Sequence, residues 1–209
     1  MDVGVDPQRI AFRAVECRKN LSAFLFAVVI SVARAQQNPR PLPVGYLAKR
    51  DVAYVSGGTE RQRLDVFFPE KSAKPVPLIV WIHGGAWSAG SKDRCPALPL
   101  LEDGYAVASV TYRFSQHAVF PAQIEDCRAA VRWLRAHAAE LNIDPERIGA
   151  WGSSAGGHLV ALLGVAGDKT DWDKGENLDQ SARVRAVVNW FGPADLLTMG
   201  AQSSADSRI

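Results

Sequence analysis

The sequence has little excess charge, few cysteines and no long apolar run. Its 24 Lys and Arg residues against 22 Asp and Glu give a formal net charge of +2, which excludes a protein that binds nucleic acid through a strongly basic surface. Three cysteines in 209 residues exclude a disulfide-dense small scaffold. No run of eighteen apolar residues occurs, which argues against a conventional transmembrane helix.

Cofactor-binding patterns are also missing. The chain has no zinc-ligand spacing, no phosphate-binding glycine loop and no dinucleotide fingerprint. The acidic stretch at residues 168–181 lacks the residue spacing of a calcium-binding loop, so we predict a solvated surface loop there. We therefore expect no metal and no cofactor.

The N-terminal segment has the pattern of a secretory signal. An apolar stretch of thirteen residues, 21–33, follows Arg18 and Lys19 and ends in the small-residue sequence Ala33-Arg34-Ala35. A basic flank, a short apolar core and an A-x-A site are typical of a signal peptide; a buried or membrane-anchoring helix is the alternative. We predict a signal peptide over residues 1–35 and a secreted or periplasmic mature protein without membrane association.

The predicted mature chain begins with a flexible lead-in, residues 36–48, because this segment is polar and rich in proline. Removing residues 1–35 leaves 19 basic and 19 acidic residues, so the slight basicity belongs to the signal. Cys95 and Cys127 then remain. In an exported protein they either form a disulfide or stay as two buried thiols, and sequence alone does not decide between the two.

The rest of the chain alternates strand and helix patterns. Two short β-prone runs around Gly57-Gly58 predict a hairpin. Three apolar runs, at residues 77–83, 105–112 and 184–190, are typical of buried strands, and residues 147–151 predict a further strand. Apolar residues at helical spacing and a run of small residues predict two helices. The predicted strands cover 49–55, 62–67, 77–83, 105–112, 147–151 and 184–190, and the helices cover 121–141 and 155–165. This order predicts an α/β fold with a mostly parallel sheet and an N-terminal antiparallel hairpin.

One glycine-rich corner contains a candidate nucleophile. The sequence Gly152-Ser153-Ser154-Ala155-Gly156 fits G-x-S-x-G and lies between a predicted strand and a predicted helix. Such a sharp strand-to-helix turn exposes the serine hydroxyl, and small neighbours avoid clashes there. We predict Ser154 as the nucleophile; a helix-capping serine in an ordinary turn is the alternative.

A second glycine-rich corner follows the strand over residues 77–83. Its sequence is His83-Gly84-Gly85-Ala86-Trp87. Glycines let the backbone approach a ligand closely, so the N–H groups of Gly85 and Ala86, with that of Ala155, are candidate oxyanion-hole donors. We predict that His83 orients this loop, with a catalytic base as the alternative, and that Trp87 lines the pocket.

Together the two corners resemble the α/β-hydrolase superfamily. The similarity is to its esterase/lipase group with an HGG-type oxyanion motif, and in particular to secreted esterases related to bacterial feruloyl esterases. It covers about residues 45–200. The resemblance implies an α/β-hydrolase fold and a serine mechanism in which a histidine accepts the serine proton and an acid orients the histidine. It implies a small-molecule ester as the substrate.

The chain departs from this family in its triad. The family order places the acid and then the histidine after the serine. The only histidine after Ser154 is His158, four residues further on, and we interpret it as a packing residue, like His117 and His137. Asp195 is a weak candidate for the acid. We therefore expect residues 49–209 to form the N-terminal part of a longer hydrolase domain, with its last strands and the triad Asp and His outside this sequence.

Three functions remain open at this point. The first is a carboxylic-ester hydrolase. The second is an arylformamidase-like amidase, because the sequence HGGAW suits both. The third is a non-catalytic module with a hydrolase fold that binds a partner. The oligomeric state and the acyl and alcohol groups of the substrate are not encoded in any pattern that we recognise.

Overall fold

The structure, a computed structural model, describes residues 42–167 and 169–199. The predicted signal peptide and residues 36–41 of the predicted lead-in lie outside the described residues. The strands are β1 Tyr46–Ala53, β2 Arg63–Pro69, β3 Val76–Ile82, β4 Ala106–Val110, β5 Ile143–Ser153 and β6 Ala186–Trp190. The α-helices are α1 Ala122–Ala136 and α2 Ala155–Val165, and short 3-10 helices cover Leu98–Leu101 and Thr170–Trp172.

The six strands form one mixed sheet in the order β1-β2-β4-β3-β5-β6. β1 and β2 are antiparallel, as are β2 and β4, whereas β4, β3, β5 and β6 run parallel to one another. The predicted mostly parallel sheet with an antiparallel hairpin is therefore confirmed. Because parallel strands end at the same edge, the loops that follow β3, β4, β5 and β6 meet there, where ligands bind in open α/β sheets.

Three element boundaries differ from the prediction by three residues or more. β1 begins at Tyr46, which pairs with Pro69, so residues 46–48 belong to the sheet and not to a flexible lead-in. β5 begins at Ile143 because this residue pairs with Val76 before a register shift. α1 ends at Ala136, since the chain must turn back toward the start of β5. Leu141 is buried in that turn and extends the apolar spacing beyond the helix.

Two apolar clusters cover the two faces of the sheet. The larger contains alternate residues of β2, β3 and β4 and packs against α1 and α2, whose buried positions recur at helical spacing. The smaller contains Phe67, Trp81 and Val107 on the opposite face, under the 3-10 segment that ends at Leu101. Because both faces are buried, the central strands β3 and β4 are almost continuously apolar, as predicted. The prediction of a buried strand at 184–190 is wrong as to burial, since β6 lies at the edge of the described sheet and most of its residues are exposed.

The two cysteines lie on opposite faces of the sheet. Cys127 belongs to the larger cluster on α1, and Cys95 packs against the smaller one. Both are free thiols. The disulfide alternative is therefore wrong, because the sheet separates the two side chains. Both thiols are free, as the other alternative predicts, but only Cys127 is fully buried and Cys95 is partly exposed.

The acidic excursion is anchored to the protein. Most of its residues are exposed, as predicted, but Asp173 accepts hydrogen bonds from Arg128 and Arg132 of α1. Arg132 also donates to the carbonyl of Lys174, and Arg128 to that of Ala166.

No helix within 42–167 and 169–199 is long and apolar enough to cross a membrane.

Candidate active site

Ser154 lies at the turn between β5 and α2, as the sequence predicts. Its φ of 52° and ψ of −121° place a non-glycine residue in a strained region of backbone space. The turn is tight: a Cβ at Gly152 would lie 2.3 Å from the carbonyl oxygen of Gly156, and one at Gly156 would lie 2.1 Å from that of Ile82. Both small positions of the motif are thus required by close backbone approach.

The second corner, His83–Trp87, adjoins Ser154. A Cβ at Gly84 would lie 3.2 Å from the Cβ of Ser154, which shows how closely the two turns approach. Positive φ angles follow at Gly85 (116°), Ala86 (51°) and Trp87 (56°). Two of these residues are not glycines, so strained backbone occurs in both turns, at Ser154 and at Ala86 and Trp87.

The three predicted oxyanion donors have free N–H groups. Within the described part of the chain, no hydrogen bond occupies the backbone N–H of Gly85, Ala86 or Ala155. Ala155 is the first residue of α2, where N–H groups lack partners in the helix and the helix dipole favours negative charge. The arrangement can therefore stabilise an anion that develops beside Ser154.

His83 is buried and engaged with its own loop. Its Nδ1 lies 2.7 Å from the carbonyl oxygen of Gly84, and its ring stacks on Tyr112 at a centroid distance of 4.6 Å. The Tyr112 hydroxyl donates to the carbonyl of His83. Burial lowers the pKa of His83 to about 4, so the imidazole is neutral at pH 7. His83 is thus held by its contacts with its own loop and with Tyr112.

Trp87 contacts α2, the helix that begins directly after Ser154. Its ring lies edge-on to the ring of His158, with the centroids 5.3 Å apart. Burial lowers the pKa of His158, and its Nδ1 has no partner among the described residues. The backbone N–H of Ser115 donates to the carbonyl of Trp87. The corner His83–Trp87, which we call the oxyanion corner after its predicted role, is thereby tied to α2 and to the loop after β4.

The remaining triad candidates lie elsewhere. His117 stacks on Phe114, and His137 stacks on Trp133. Asp195 is exposed and accepts hydrogen bonds from Leu197 and Thr198 in its own turn. Within residues 42–167 and 169–199, no histidine side chain forms a hydrogen bond with the Ser154 hydroxyl, and the contact of His158 with Ser154 is between backbone atoms.

Two contacts of the site were not predicted from the sequence. The backbone N–H of Ser154 donates to the carbonyl of Trp190 at 2.8 Å, so the end of β6 supports the turn. Arg61, in the β1–β2 turn, contacts the loop that follows the oxyanion corner. The apolar run of β6 predicts the strand but not this carbonyl contact. No pattern marks Arg61.

The family model named BD-FAE matches residues 64–208, a range that includes both corners and every strand from β3 to β6. The chain belongs to the BD-FAE family. The α/β-hydrolase resemblance inferred from the two motifs is thereby confirmed at the level of fold and family. The BD-FAE match alone does not assign a substrate.

Named relatives of this BD-FAE chain are esterases. Carboxylesterase NlhH of Mycobacterium tuberculosis is 35% identical over 148 residues, which are 67% of this chain and 46% of the relative. Esterase LipC of the same species is 32% identical over 72% of this chain and 38% of the relative. The solved structure of a truncated carbohydrate esterase from gut microbiota is 36% identical with a TM-score of 0.71, covering 77% of this chain and 62% of that chain. The chain thus spans less than half the length of these two curated relatives.

Proposed function

We propose that this protein is a carboxylic-ester hydrolase that uses Ser154 as its nucleophile. The observation that carries the proposal is the position of Ser154 on a strained turn beside three unoccupied N–H groups, those of Gly85, Ala86 and Ala155. The names of the relatives support an ester substrate. We also propose that residues 1–35 direct export to the periplasm or beyond.

The proposed reaction proceeds through an acyl-enzyme. The Ser154 oxygen attacks the ester carbonyl carbon and transfers its proton to a base, while the carbonyl oxygen becomes an oxyanion held by the free N–H groups. Collapse expels the alcohol, which takes up a proton, and water then hydrolyses the acyl-serine to the free acid. Among the described residues, no side-chain base forms a hydrogen bond with the Ser154 hydroxyl, and the Nδ1 of His83 contacts the carbonyl oxygen of Gly84 instead.

Replacing the nucleophile tests this function. In the full-length protein expressed from its source gene, we expect S154A to lower kcat/KM for p-nitrophenyl acetate by about three orders of magnitude or more, because loss of a nucleophile removes the covalent route. A fluorophosphonate probe should label wild-type Ser154 and leave S154A unlabelled. The measurements are steady-state kinetics and peptide mass spectrometry.

Ser153 provides a matched control. It is the neighbouring residue with the same side chain, at the end of β5, and S153A should keep kcat/KM within a few-fold of wild type. Equal activity of S154A and wild type would refute the serine mechanism. Hydrolysis of an N-formylated aromatic amine in preference to esters would favour the amidase alternative. A folded protein inactive on both would favour a binding module.

A further inference from the structure

Arg61 reaches from the β1–β2 turn to the loop behind the oxyanion corner. Its Nη2 donates to the carbonyl oxygen of Gly90 at 3.0 Å. Its guanidinium carbon lies 3.6 Å from the ring centroid of Phe114, which is a close cation–π stack on a buried ring. One side chain therefore binds two segments that are distant in sequence, the loop after β3 and the loop after β4.

Gly90 lies directly against the oxyanion corner. Its φ is +105°, and a Cβ there would lie 2.4 Å from both the His83 Nδ1 and the Gly84 carbonyl oxygen. The same loop folds back on Gly85, whose carbonyl accepts hydrogen bonds from the N–H groups of Ser88 and Ala89. The peptide that Arg61 holds is thus packed against the residues that precede the candidate oxyanion donors.

Phe114 provides a second connection to the same corner. Its ring lies edge-on to the ring of His83, with the centroids 6.0 Å apart. The next residue, Ser115, donates its backbone N–H to the carbonyl of Trp87 at 2.8 Å. Arg61 therefore stacks on a residue, Phe114, that lies beside His83 at one end of the corner and is followed by the residue that binds Trp87 at the other end.

Arg61 does this without an ion-pair partner. Among the described residues, no carboxylate lies within ion-pair distance of its guanidinium, and its Nε is buried without a hydrogen-bond acceptor. Arg113 on the adjacent segment shows the contrast, since it is paired with Asp126. No carboxylate therefore forms an ion pair with Arg61. Its planar guanidinium instead stacks on the ring of Phe114 and donates one hydrogen bond to the carbonyl of Gly90.

We propose that Arg61 is a positioning residue that holds the oxyanion corner in register with Ser154. The proposal rests on the proposed function of that serine. The planar guanidinium fixes Gly90 and Phe114 together, and these two fix the path of the chain from His83 to Trp87. Lysine cannot replace it, because an ammonium group neither stacks flat on the ring nor has the same fork geometry.

Hydrogen exchange of the corner tests the proposal without any turnover. The variants are R61M, which keeps the apolar stem, and R61K, which keeps the charge. R63M is the matched control, because Arg63 lies in the same hairpin and its guanidinium donates to the carbonyl of Asp51 and pairs with Glu60, away from the corner. In the full-length protein, R61M and R61K should speed deuterium uptake in the peptide covering residues 84–91 at least several-fold, and R63M should leave it at the wild-type rate.

Kinetics supply the second readout. With p-nitrophenyl acetate, we expect R61M and R61K to lower kcat about tenfold with KM within twofold of wild type, because a displaced N–H donor weakens binding of the transition state more than of the ester. Unchanged exchange in R61M, unchanged kcat, or equal effects of R63M would overturn the proposal. Activity in S154A would instead refute the proposed function, and the exchange experiment would still decide whether Arg61 holds the corner.

Discussion

Ser154 is held in its strained conformation from two sides. A non-glycine residue at positive φ costs on the order of 1–3 kcal/mol and persists only where its surroundings enforce it. Here the carbonyl of Trp190 accepts the Ser154 N–H, and the Ser154 carbonyl accepts the N–H of His158. The turn therefore depends on β6 as well as on its own motif, and mutations at the end of β6 are expected to act on the nucleophile.

The buried imidazole of His83 makes stability depend on pH. Its pKa falls from 6.5 to about 4 in the folded protein because burial penalises the charged form. The unfolded chain therefore binds a proton first as the pH falls, so stability is fully present above pH 6.5 and is lost between pH 6.5 and 4. The shift corresponds to about 3 kcal/mol. Between pH 7 and 4.5, wild type should lose about 2–3 kcal/mol more of its free energy of unfolding than H83N.

Urea unfolding followed by tryptophan fluorescence at the two pH values measures this difference. The exposed His117 gives the control, because H117N removes a histidine that lies outside the core and should keep the wild-type pH dependence. An H83N variant that retains the full acid sensitivity of wild type would show that another group causes it.

The candidate nucleophile could be predicted from sequence, whereas its supports could not. G-x-S-x-G and HGGAW are short contiguous patterns, so each is visible in the sequence, although the close approach that requires Gly156 is to the distant carbonyl of Ile82. Arg61 and Gly90 are 29 residues apart, and the fold alone brings them together. Asp173 is similar: its acidic neighbours predict a solvated loop, and only the packing of that loop on α1 shows the two arginines behind it.

At the scale of elements, two arginines on α1 anchor the excursion that follows α2. Arg128 and Arg132 are one helical turn apart and almost completely buried, and Asp173 is the carboxylate that pairs with both. Removing one partner of a buried ion pair leaves an uncompensated charge, which typically costs about 3–5 kcal/mol. We expect D173N to lower the free energy of unfolding by about 3 kcal/mol at pH 7, measured by urea denaturation.

Asp171 tests whether this effect is specific. It lies in the same excursion, is highly exposed and is 3.9 Å from Lys169, a weak surface pair. D171N should change the free energy of unfolding by less than about 0.5 kcal/mol. Similar losses in D173N and D171N would mean that the excursion responds to its net charge and not to the buried pair.

Element types were easier to predict than element ends. The apolar runs of β3 and β4 are nearly continuous because both faces of these strands are covered, and this pattern is visible in the sequence. The predicted helix end at residue 141 lies beyond the observed end at Ala136, because Leu141 fills the core from a turn as well as it would from a helix. The apolar pattern therefore shows which side chains are buried, but it does not show where the helix ends. The end of α1 is set by the turn that returns the chain to β5.

At the scale of the whole molecule, residues 1–35 differ in composition from the rest of the chain. They carry five basic and three acidic residues around an apolar stretch, whereas residues 36–209 carry 19 of each and include the range that matches the BD-FAE family. The proposed export signal accounts for the composition of residues 1–35.

Export predicts a defined N-terminus. Signal peptidase selects small residues one and three positions before its cut, here Ala35 and Ala33, so the mature protein should begin at Gln36. N-terminal sequencing of protein recovered from the periplasm or medium measures this directly. A35L should block processing, whereas A27L, within the apolar core, should leave it unchanged, because only the first alters the cleavage site. A full-length chain in the cytosol of cells expressing the wild type would refute the signal and remove the argument for an extracytoplasmic substrate.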